Sequence, residues 1–136
     1  MTRLLVCGSR RWDDRVAIDQ QIRLTRDELE VVIEGEAPGA DRLVRQVAES
    51  HGVPVQPFEA DWSTHGKRAG ILRNLDMLRE GRPTHVLAFT DDFQNPWSGT
   101  RHMCRVAVTA GVPVTLVEHG AGGLRSRELA PEDFGV

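Results

Sequence analysis

The chain has 136 residues, the usual size of one domain and enough for one core. Its 40% hydrophobic and 27% charged residues are ordinary for a globular protein, and no apolar run approaches the roughly 20 residues that span a bilayer. A net charge of −3 and a pI near 5.9 lack the basic balance of a general nucleic-acid binder, so an anionic partner must be held by a local cluster of cations.

Five apolar runs punctuate the sequence, at residues 4–7, 31–33, 53–58, 85–89 and 112–117. Four are rich in valine, isoleucine or leucine, as buried parallel strands are. The third contains Pro54 and Pro57 and reads as a short or edge strand. The N-terminal residues 1–8 lack the long apolar core and cleavage site of a signal, and read as the first strand. Cys7 and Cys104 lie inside apolar runs, which suggests reduced, buried thiols in a cytoplasmic protein.

Helix-period stripes lie between the strands: Ile18, Ile22 and Leu29; Leu43, Val44, Val47 and Ala48; Ile71, Leu72, Leu75 and Leu78; Met103, Ala107 and Ala110. Stop signals follow them, at Gly52 with Pro54, Gly81 with Pro83, and Gly111 with Pro113. This alternation predicts a single α/β Rossmann-like domain, residues 1–119, with about five parallel strands and helices on both faces. Residues 120–136 are glycine-rich, then charged, and read as a C-terminal tail, either a flexible end or a clasp on a neighbour.

In such folds ligands sit beyond the carboxyl ends of the strands. Strand one is followed by Gly8-Ser9-Arg10, where Gly8 permits a tight turn, Ser9 offers its hydroxyl and N–H, and Arg10 can pair with a phosphate. The dinucleotide fingerprint G-x-G-x-x-G is absent. Strand two leads into the small residues from Gly35 to Gly39, a plausible phosphate or ribose cradle. Asp41 then serves as helix cap or as ligand contact. Strand three is followed by Trp62, an aromatic face for a base, and by Lys67, Arg68 and Arg73 at a helix start. Strand four is followed by Asp91, Asp92 and the run Asn95-Pro96-Trp97-Ser98-Gly99-Thr100-Arg101-His102. Helix starts favour acids, yet this one carries Arg101 and His102. A bound anion on the free N–H groups of Gly99 and Thr100 would offset them.

The ordered set Gly8-Ser9-Arg10, Gly35-x-Ala37-Pro38-Gly39-Ala40-Asp41, Ala60-Asp61-Trp62, Gly66-Lys67-x-Ala69-Gly70, Arg73-Asn74-x-x-Met77 and Ser98-Gly99-Thr100 resembles the YspA-like branch of the SLOG superfamily. These are Rossmann-like proteins related to DprA and to the lonely-guy phosphoribohydrolases. The resemblance runs from about residue 4 to residue 117. It departs at Glu36, where the family pattern favours glycine; Glu36 either crowds the cradle or turns outward.

The resemblance implies a nucleotide or nucleotide-derived ligand and often a homodimer or higher homo-oligomer. The implied ligand-binding residues are Gly8, Ser9, Arg10, Gly35, Gly39, Asp41, Trp62, Lys67, Arg73, Asn74, Ser98, Gly99, Thr100 and Arg101. In the lonely-guy enzymes a P-G-G-x-G-T-x-x-E motif supplies the carboxylate that helps cleave the base–ribose bond, and an arginine assists. Here Arg73 keeps the arginine, but Met103 stands at the carboxylate position. A thioether neither stabilises an oxocarbenium ion nor activates water. A relocated carboxylate would have to come from Asp91, the first choice, or from Asp92 or Glu36.

The resulting expectation is a protein that binds a nucleotide-derived small molecule as sensor, carrier or sequestering protein. The alternatives are a nucleoside 5′-monophosphate phosphoribohydrolase using Arg73 and Asp91, and a single-stranded nucleic-acid binder, which the acidic balance disfavours. The five histidines are scattered without paired ligand spacing, so neither a metal nor a separate cofactor is expected.

Overall fold

The computed structural model describes residues 1–135. The chain runs β1 (Thr2–Gly8), α1 (Arg15–Thr25), β2 (Leu29–Glu34), α2 (Ala40–Ser50), β3 (Val55–Pro57), α3 (Trp62–His65), α4 (Ala69–Gly81), β4 (His85–Phe89), α5 (Gly99–Thr109), β5 (Val114–Gly120) and β6 (Gly123–Glu128). Short 3₁₀ turns lie at Arg26–Glu28, Gly66–Arg68 and Pro131–Phe134. One sheet has the order β3-β2-β1-β4-β5-β6. Its first five strands are parallel and form the expected Rossmann-like α/β domain.

The sixth strand was not expected. Residues 123–128 return antiparallel along β5, from Gly120 opposite Gly123 to Thr115 opposite Glu128. Every residue of β6 is exposed, so the strand has no buried face and shows no apolar run. Only its ladder to β5 reveals it. Beyond it Leu129 is buried, and Phe134 packs against the core beneath α5.

Alternation along β1 divides the core. Leu4 and Val6 face α1 and α2 with Ile18, Ile22, Val44 and Val47, while Leu5 and Cys7 face α4 and α5 with Met77, Met103 and Ala107. Burying each large side chain of this set contributes about 1.5–3 kcal/mol. β3 is the short edge strand that its prolines predict. No helix among the described residues is long and apolar enough to cross a membrane.

Helix α4 exists as predicted, but its buried face is rotated. Ala69, Asn74, Met77 and Gly81 are buried, whereas Ile71 is 48% exposed and Leu72, Leu75 and Leu78 are half-buried. The cause is close packing by small residues: a Cβ on Gly81 would lie 3.1 Å from Ile33 Cδ1. A hydropathy stripe counts large residues and misses this. Leu29, assigned by its spacing to the first helical stripe, instead opens β2.

Candidate functional site

Strand order reverses between β1 and β4, and a cavity of about 940 Å³ lies at that crevice. Its walls come from the turns after β1, β2, β3 and β4 and from the first turns of α4 and α5. Of the residues singled out in the sequence, Gly8, Ser9, Arg10, Asp41, Trp62, Lys67, Arg73, Asn74, Ser98, Gly99 and Thr100 line it. Gly35 and Gly39 shape it from behind, while Arg101 and Asp91 are not on its walls.

The floor is built by close backbone contacts. Gly39 precedes α2 with φ +84, and an ideal Cβ there would meet the Ser9 carbonyl oxygen at 2.3 Å. The Ser9 N–H donates to the Phe89 carbonyl at 2.9 Å, and its hydroxyl accepts from Arg11 N at 3.0 Å. The Ser9 amide is therefore spent on the fold, contrary to the sequence reading, and only the hydroxyl proton remains for a ligand. Arg10 reaches over Trp62, its guanidinium carbon 5.8 Å from the ring centroid.

Arg73 crosses the end of β2. Its Nη1 donates to the Gly35 carbonyl at 2.9 Å, and a Cβ on Gly35 would sit 2.9 Å from Arg73 Cδ. Arg73 Nε is buried with no partner among the described residues. Burial holds the guanidinium below its ordinary pKa, with the Asp41 charge opposing that shift. Asp41 is 5% exposed and is not the cap of α2, whose N-cap residue is Gly39. Its Oδ2 accepts from Ala37 N at 3.3 Å, closing the β2–α2 turn. Burial pushes the Asp41 carboxyl up to about 6, against the pull of Arg73. Among the described residues Arg73 and Asp41 form no ion pair with each other. A half-buried cation and a buried carboxylate thus face one cavity without an ion pair between them.

At the other wall Ser98 caps α5, its hydroxyl accepting from Arg101 N at 3.2 Å. The first N–H groups of that helix have no intrahelical acceptor, and Thr100 is buried beside them. Buried Asn74 ties α4 to this turn by donating to the Gly99 carbonyl and to His102 Nδ1, both at 3.1 Å. His102 therefore accepts at Nδ1, as a neutral imidazole does, and burial lowers its pKa.

The charge argument drawn from Arg101 needs correction. Its guanidinium donates to the carbonyls of Phe93 (3.3 Å) and Asp133 (3.1 Å) and lies 4.8 and 5.1 Å from the rings of Phe93 and Phe134. The C-terminal 3₁₀ turn, not a ligand, offsets it. The cations that do line the cavity are Arg10, Arg11, Lys67 and Arg73, against the carboxylates Asp41 and Asp92.

Asp91 is also committed elsewhere. His119 donates through Nδ1 to Asp91 Oδ2 at 2.7 Å and through Nε2 to Asp14 Oδ2 at 2.8 Å, and stacks on Trp12 at 4.5 Å. A ring facing a carboxylate at each nitrogen is an imidazolium, and those two carboxylates raise its pKa. Because the folded pKa lies above the unfolded one, this stabilisation is complete below about pH 6.5 and is lost as pH rises through the raised value. Asp91→Asn is expected to lower the His119 pKa in an NMR titration of the ring; an unchanged value would show that the contact carries no charge coupling.

Glu36, which departs from the resembled pattern, sits at φ +60, a conformation that glycine adopts freely. Its carboxylate turns outward to Arg45 and leaves the cradle open. Met103 is fully buried in the core. Thr90 lines the cavity and was not singled out from the sequence. Thr90 directly follows β4, so the strand-end rule alone would have found it.

Residues 2–65, from β1 through α3, match the family described as the YspA, cpYpsA-related SLOG family. The Gene 61 protein of Mycobacterium phage D29 is 39% identical over 125 residues, covering 84% of this chain and 94% of that protein. That likeness extends well beyond the matched first half. With its sheet order and a strand-end cavity where the quoted motifs converge, the chain belongs to the YspA, cpYpsA-related SLOG family.

Proposed function

We propose that this protein binds a nucleotide or nucleotide-derived phosphorylated small molecule, as a sensor, carrier or sequestering protein. The observation that carries this reading is the pair Arg73, half-buried with its Nε buried and unpartnered among the described residues, and Asp41, buried, which line one cavity and form no ion pair with each other. Among the described residues each has only a backbone partner and neither has a counter-charge in contact, and a guest with a phosphate for Arg73 and a hydroxyl for Asp41 supplies what the fold leaves out. The N–H groups of Gly99 and Thr100 add donors to the same phosphate. Self-association belongs to the reading too: α4 presents Ile71 with half-buried Leu72 and Leu75, and sedimentation of the chain as a dimer would support it.

A panel of nucleoside mono- and diphosphates should raise the melting temperature; a ligand at a hundred times its Kd adds about 2.7 kcal/mol. Arg73→Ala is expected to weaken that response by about 10- to 100-fold in Kd, and Arg73→Lys to restore it only partly, because an ammonium lacks the planar fork. A panel response that survives Arg73→Ala and Thr100→Val would refute the reading.

The enzymatic alternative has one supporting observation. With Met103 in the core and Asp91 bound to His119, Asp41 is the buried carboxylate on the cavity, and its pKa of about 6 suits proton transfer near neutrality. Release of free base from a nucleoside monophosphate, abolished in Asp41→Asn, would favour that alternative over simple binding.

A further inference from the structure

Trp62 and Trp97 follow different strands, β3 and β4, yet both line the same cavity. Neither is spent on the core: Trp62 is 48% exposed and Trp97 is 92% exposed. Both stand on ordered backbone. Trp62 opens α3, capped by Asp61, whose Oδ1 accepts from Thr64 N at 3.1 Å. The Trp97 N–H donates to Asn95 Oδ1 at 3.0 Å in the turn that leads to α5. In the sheet β3 and β4 lie on opposite sides of the β2-β1 pair. The two tryptophans therefore stand on turns that lie on opposite sides of that pair, and Arg73, Asn74 and Thr100 also line the cavity.

We propose that the cavity takes a small molecule with two ring systems joined through a phosphate bridge. One base stacks on each tryptophan, and the bridge meets Arg73 and the start of α5. This deepens the nucleotide-binding reading above and rests on it. Three further features favour it. The volume of about 940 Å³ stands at the upper end of the roughly 300–1,000 Å³ of ligand pockets. Four lining cations face two carboxylates, an excess suited to a doubly charged bridge. The Ser9 amide is already bonded to Phe89, so the bridge is not held on the β1–α1 turn as in the dinucleotide fingerprint, and the absence of that fingerprint is no objection.

Calorimetric titration with AMP, ADP and diadenosine diphosphate tests this. Diadenosine diphosphate should bind at least about tenfold more tightly than ADP, the gain from stacking one more base. Trp62→Leu and Trp97→Leu should each remove that gain, while ADP loses affinity in only one of them. Trp97 touches so little of its own chain that its replacement leaves folding intact. Equal affinities for ADP and diadenosine diphosphate, or a gain that survives Trp97→Leu, would overturn the two-ring inference. The nucleotide reading would still stand if ADP binding falls in Arg73→Ala. No binding of any of the three probes would overturn both. Trp97→Leu that dissociates an oligomer and leaves every affinity unchanged would assign Trp97 to a contact between copies, and that too overturns the inference.

Discussion

Gly39→Ala is expected to destabilise the fold by about 3 kcal/mol and to erase the ligand response with it. Two costs combine at this position. The backbone at φ +84 and ψ −128 is one that residues with a Cβ avoid. The added methyl would also lie 2.3 Å from Ser9 O and 2.6 Å from the carbonyl of Arg10. Those are backbone atoms, so no side-chain rotation relieves the clash. The β1–α1 turn has to move, and it carries Ser9 and Arg10 away from the cavity. Gly111 provides the control: it has φ +81 but nothing within 4 Å of an ideal Cβ. Gly111→Ala therefore pays only the conformational cost, about 1 kcal/mol. Urea midpoints at unchanged slope compare the two. Equal losses would show that the turn–turn contact is not tight.

Glu34→Gln is expected to stabilise the protein above neutrality and to flatten its pH dependence. Glu34 ends β2 with no exposure; its Oε2 accepts from Glu36 N at 2.8 Å, and its Oε1 has no partner among the described residues. Burial, and then the adjacent Glu36 carboxyl, push its pKa from 4.5 to about 9. The folded chain thus keeps a proton that the unfolded chain releases above about pH 4.5. Stability falls as pH climbs from there to about 9, by up to about 1.4 kcal/mol per unit from this group alone, and levels off beyond. Glutamine keeps the shape and an acceptor for Glu36 N but does not titrate. Asp41 contributes a slope of the same sign, confined below about pH 6. His119 contributes another of the same sign as its own raised pKa is crossed. Melts between pH 6.5 and 8.5 of wild type, Glu34→Gln and His119→Gln separate the two groups. A wild-type curve that is flat across that window would sink the assignment of a protonated Glu34.

Much of the architecture is legible in the chain because its signals are local. Parallel strands buried on both faces are rich in valine, isoleucine and leucine, and four of the five predicted runs are. Helix stops at Gly52, Gly81 and Gly111 and the strand-end turns need particular residue types at fixed offsets, so the motifs converging on the cavity stand out in order. The SLOG resemblance rests on those same turns, and the family match over residues 2–65 covers those after β1, β2 and β3.

Other features became visible only in three dimensions, where they depend on distance rather than neighbourhood. β6 pairs through its backbone and buries no face, so its composition reads as a tail. Arg101 spans to Asp133, 32 residues on, and Asp91 is claimed by His119, 28 residues on; long polar side chains bond whatever lies within reach and leave no period in the sequence. The face that α4 buries was chosen by small residues that fit the sheet, not by its leucines. The chain by itself determined the five parallel strands, the turns after them and the family. Only packing decided which of its charges are neutralised within the fold and which, like Arg73 and Asp41, are left facing the cavity, because partner choice is set by distances that exist only once the sheet has formed.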